Sequence, residues 1–102
     1  MRLVALAVSA LLAAPVAADA HAVLSVPRAR QAISAYMSTL LHGAESTHTI
    51  FLGCHRLSPT SVRCHFNERL KAHGEVQTLK HGCARALLDH RNVKVVPCEA
   101  GK

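Results

Sequence analysis

The sequence predicts an α+β fold: one N-terminal amphipathic helix packed on a small antiparallel sheet of three to four strands, with two disulfides. Three observations predict it. Apolar residues recur at steps of three and four between Ser25 and Gly43, and apolar and polar residues alternate between Thr47 and Asn67. Four cysteines lie in the C-terminal half of a chain of only 102 residues, an even count that reads as a disulfide framework.

A leader precedes these elements. Arg2 gives a basic head, Leu3 to Ala14 is apolar apart from Ser9, and Pro15 opens a stretch of small residues that ends near Ala22. The run is too short to span a bilayer and the small residues suit a signal peptidase. Residues 1–20 are therefore expected to be a signal peptide and 21–102 a single small domain, secreted or periplasmic after cleavage at Ala18, Ala20 or Ala22. Export would take the chain to a place where thiols oxidise.

In the helix, Ala29, Ala32, Ile33, Tyr36, Met37, Leu40 and Leu41 line one face, with Arg28, Gln31, Ser34, Ser38 and Thr39 opposite. Ser25 and Pro27 mark its start, and His42 with Gly43 its end. A single apolar stripe suits a helix lying on a sheet.

The alternating runs on either side of Ser58-Pro59-Thr60-Ser61 read as a β-hairpin. If Ile50, Leu52, Val62 and Phe66 share the helix side, even-numbered residues pair with even-numbered ones, and Phe51 faces outward. Pairing Arg56 with Val62 then places Cys54 opposite Cys64, at a Cβ separation of about 4.5–5.5 Å that a disulfide can close. Four cysteines allow three pairings. This register would pair Cys54 with Cys64 and leave Cys83 with Cys98, each bond stabilising by about 2–4 kcal/mol, while the sequence by itself leaves the three connectivities open.

Further on, Glu75 to Lys80 reads as a third strand, Cys83 to His90 as a short helix, and Val93 to Val96 before Pro97 as a last strand. A helix from Glu68 through Lys80 is the competing reading, opposed by Gly74 and by β-branched Val76 and Thr78.

The spacing Cys54-x-Arg56-x-Ser58 followed by Arg63-Cys64, after an N-terminal helix, resembles a set of small exported bacterial proteins of unknown function. In these a hairpin carries C-x-R-x-S-x-x-x-x-R-C. The resemblance runs from Pro27 to Phe66, implies a helix on an antiparallel sheet and brings no activity with it. Cys83 and Cys98 depart from that pattern.

Composition bounds the function. The formal net charge is +6, with cations dispersed along the chain in the manner of a solvated surface. Tyr36, Phe51 and Phe66 are the only rings of the Phe, Trp and Tyr class, which leaves little for unpaired bases to stack on and disfavours nucleic acid as partner. The absence of C-x-x-C argues against a thioredoxin-like centre or a thiolate zinc site. Ser58 lacks a G-x-S-x-G setting and reads as a turn residue. A non-enzymatic binding module for an extracytoplasmic protein, with Phe51 as a candidate anchor, is the leading expectation.

Two further readings come from the eight histidines. Cleavage after Ala18 would leave His21 in third place, where terminal amine, two amides and imidazole enclose copper in a square plane; cleavage after Ala20 would make His21 the first residue, with amine and imidazole as ligands. On the hairpin, His55 and His65 share the outer face with Arg63 opposite His55. Diagonal imidazoles can meet at a metal, or act as acid and base in a small cationic hydrolase of the ribonuclease kind, given a carboxylate such as Glu68 or Glu75.

Overall fold

The computed structural model describes residues 22–99; the expected leader at 1–20 and the copper-ligand candidate His21 lie outside the described residues. Helix α1 (Val26–Leu40) begins at Ser25, whose extended backbone and hydroxyl, accepting from the Arg28 N–H at 3.2 Å, satisfy one orphan donor of the first turn. Pro27 sits in that first turn, where no backbone donor is needed. The helix closes with the Leu41 N–H donating to Met37 O at 2.9 Å. Ala29, Ile33 and Met37, at steps of four, are its buried residues, and this stripe faces a sheet as expected.

The sheet is an antiparallel meander in the order β1 (Ser46–Ser58), β2 (Ser61–Ala72), β3 (Glu75–Asp89), β4 (Asn92–Pro97). Its helix-facing side contributes Val62, Cys64, Phe66, Ala84 and Ala86 to the core, with Leu24 from the segment before α1. Arg56 holds this corner together: its guanidinium donates to the carbonyls of Ser58 and Pro59 and, at 2.6 Å, to Leu24 O. Leu24 N–H also donates to Pro59 O. Arg56 and Ser58, two of the spaced motif positions, thus serve turn architecture, since Ser58 Oγ accepts from the Thr60 N–H.

Near the turn the hairpin has the expected register, with Arg56 opposite Val62 and Cys54 opposite Cys64. Farther along, the expectation fails. The register shifts between Phe51 and Gly53, so that Leu52 is an extra residue and every side chain before it changes face. Phe51 therefore pairs with Phe66 on the helix side, ring centroids 6.2 Å apart, and Arg30 of α1 lies 5.4 Å over its ring. Ile50 and Leu52, expected inside, are 39% and 63% exposed.

The expected short helix at Cys83 to His90 is instead the second half of β3, which ends at Asp89 and leaves His90 in the turn to β4. Pairing with β2 on one side and β4 on the other satisfies the backbone of this segment, and it overrides the helix preference of Ala84, Ala86, Leu87 and Leu88. The competing helix from Glu68 through Lys80 is absent too. Strand β2 runs to Ala72, and the chain reverses at His73 and Gly74, both left-handed with φ of 54° and 78°. A second irregularity sits in β3: between Leu79 and Gly82 the residues Lys80 and His81 stand against Asn67 alone, with His81 at φ 64°.

The four cysteines form Cys54–Cys64 and Cys83–Cys98, with Cα separations of 4.1 and 5.5 Å. No described helix is long and apolar enough to cross a membrane.

Candidate functional site

Strand β2 decides which side chains share a face. Its even-numbered residues Val62, Cys64, Phe66 and Glu68 turn toward α1, so Arg63, His65, Asn67, Arg69 and Lys71 line the other side of the sheet. Neighbouring strands extend this row. His55 stands opposite Arg63, His48 opposite Arg69, and Arg85 of β3 opposite Arg63 from the other side. Among the residues of β1 and β2 that face outward there is no Asp or Glu.

Three of the four residues singled out in the sequence come together here. The His55 and His65 rings lie edge-on with centroids 6.3 Å apart, and Arg63 is cross-strand to His55. Phe51 does not join them: the extra residue Leu52 has put its ring on the helix side, so it is not an outward anchor. The carboxylates that acid–base chemistry would require are also on the wrong face. Glu68 is buried under α1, and Glu75, opposite Ala72 at the hairpin end, shares that side of the sheet. Among the described residues, no three of His, Cys, Asp and Glu converge in a way that would hold a metal ion.

Arg63 and Arg85 form a like-charge pair directly across two strands, an arrangement that is unfavourable by itself. Glu99, just past β4, offsets it with a carboxylate 3.7 Å from the Arg85 guanidinium. Leu57, Arg63, Arg85, Cys98 and Glu99 together line a shallow depression of about 190 Å³. The Nε atoms of both arginines are buried and unpartnered, so this pair retains donor capacity that the fold does not use.

The sequence reading missed Arg69, Lys71, His48 and Arg85. Read along the chain, these cations are dispersed. The signal that finds them is parity: Arg63, His65, Arg69 and Lys71 all fall on odd positions of a strand whose even positions are buried. Apolar side chains are interspersed with them, because Ile50 and Val76 lie on the same side, opposite Asn67 and Lys71. Comparison with protein-family models, with curated proteins and with solved structures finds no match to this chain.

Proposed function

We propose that the protein is a non-enzymatic binding module, exported and stapled by its two disulfides, whose outer sheet face docks an acidic protein outside the cytoplasm. The observation that carries the reading is the alternation along β2, which gathers Arg63, His65, Arg69 and Lys71 on one face with Arg85 beside them and no acid among the outward residues of β1 and β2. Cations of one sign on a broad surface steer and orient an oppositely charged partner. Exposed Ile50 and Val76 add the apolar area that protein interfaces combine with arginine. Tyr36, Phe51 and Phe66 all pack on the helix side, which leaves the outer face without a ring of that class for bases to stack on. Export is supported by the apolar leader in the sequence and by the paired cysteines.

The test is retention on immobilised poly-glutamate as salt is raised, compared with heparin. The expected result is salt-sensitive retention on poly-glutamate, lost when Arg69→Glu and Lys71→Glu are combined. Retention unchanged by that double reversal would overturn the reading, and binding to heparin alone would replace the acidic protein by a polysaccharide.

A further inference from the structure

The other side of the sheet carries a second feature, independent of the basic face. Glu68 is 1% exposed, and its carboxylate is only half satisfied: Thr49 Oγ1 donates to Oε1 at 2.5 Å, while Oε2 is buried with no partner. A buried polar atom left in this condition is expensive, more so when it is charged. Glu68 lines an otherwise apolar groove of about 230 Å³ between the C-terminal half of α1 and the sheet, with Tyr36 and Leu40 on one wall and Phe66 and Leu79 on the other.

The surrounding backbone is shaped for this groove. The irregularity at Leu52 in β1 and that at Lys80 and His81 in β3 flank the Phe66–Glu68 segment of β2 on both sides. Bulges of this kind re-aim side chains and recur beside binding sites. The first brings Thr49 opposite Glu68, and the second brings Leu79 opposite it. Gly82 completes the floor, since a Cβ there would stand 2.5 Å from the Phe66 ring.

We propose that this groove binds a small apolar amine, with its hydrocarbon body against Tyr36, Leu40, Phe66 and Leu79 and its ammonium donating to Glu68 Oε2. An ammonium is the complement of a buried carboxylate oxygen that lacks a donor, and a charge-assisted bond in an apolar site is the strong kind. The volume lies below the roughly 300–1,000 Å³ of pockets for drug-sized ligands, which limits the ligand to a single ring or a short chain. Leu40 and Leu79, 58% and 45% exposed, are the side chains that turn aside as the amine enters.

Titration of the oxidised protein with phenethylamine, 2-phenylethanol and phenylacetate, followed by backbone amide NMR, tests this. Phenethylamine is expected to saturate with shifts at Tyr36, Leu79 and Gly82, the alcohol to bind about tenfold more weakly, and the acid not to bind. Glu68→Gln keeps the shape and should abolish the preference of amine over alcohol. Leu79→Lys, on an exposed position, puts an ammonium of the chain's own beside Glu68 and should block phenethylamine. Equal affinity for amine and alcohol, no saturation at millimolar amine, or undiminished amine binding by either variant would overturn the proposal.

Discussion

Beneath α1 the sheet buries Val62, Cys64, Phe66, Ala84 and Ala86 around the Cys54–Cys64 bond, while the reverse of the same strands presents Arg63, His65, Arg69, Lys71 and Arg85 beside Cys83–Cys98. The buried contacts are therefore concentrated on one face, and the other carries the row of cations. Each face also has one unfinished feature. On the helix side it is the orphaned Oε2 of Glu68; on the outer side it is the pair of unpartnered Nε atoms on Arg63 and Arg85.

Removing each disulfide in turn gives the largest contrast. Replacing Cys54 and Cys64 together by Ala should cost about 3–5 kcal/mol in urea denaturation, because the fully buried Cys64 loses core contacts as well as its crosslink. Replacing Cys83 and Cys98 should cost only about 2–3 kcal/mol although that bond closes the longer loop, 15 residues against 10. The reverse order would show that chain entropy alone, rather than the face on which each bond lies, sets its worth.

The bulge at Leu52 supplies the next contrast. Phe51→Ala should destabilise by about 2–3 kcal/mol and Leu52→Ala by less than about 0.5 kcal/mol, since the first ring meets Phe66 and the second side chain meets solvent. An equal loss at both positions would place the register shift elsewhere. Gly82→Ala should follow at about 1–2 kcal/mol, with the displaced Phe66 ring visible as a change in its proton shifts. Smallest of all, Arg69→Glu with Lys71→Glu should move the unfolding midpoint by no more than about 0.5 kcal/mol while abolishing retention on poly-glutamate. A large loss of stability there would mean that the basic row holds the sheet together.

How much of this was legible follows from where the constraints lie. The helix, the turn at Ser58 to Ser61 and the Cys54–Cys64 pairing could all be read, because Ser25, Pro27, Pro59 and the cysteine spacing act locally. Leu52 could not be placed, since a bulge inverts the parity of everything before it and leaves only Gly53 as a neighbouring hint. Cys83 to His90 looked helical because its Ala and Leu residues favour helix; strands on both sides decided otherwise. Within the candidate site, His55, Arg63 and His65 were found through their parity around the turn. Arg69 and Lys71 lay in a stretch not recognised as the same strand, and Arg85 in one read as helix.

Among the described residues strand β1 is one margin of the sheet, 13 residues long, and a margin of that length is a template on which another chain can be added. Its ladder is interrupted twice, at Leu52 and again between Arg56 and Ser58, while the opposite margin, β4, is only six residues long and ends in Pro97. Deleting Leu52 would join Phe51 directly to Gly53 and straighten that part of the longer margin, with Phe51 still on the helix side and Ile50 still outside. The shortened chain would then offer its neighbours a strand regular from Ser46 to Arg56, and light scattering of the deletion variant is expected to show more self-association than the parent.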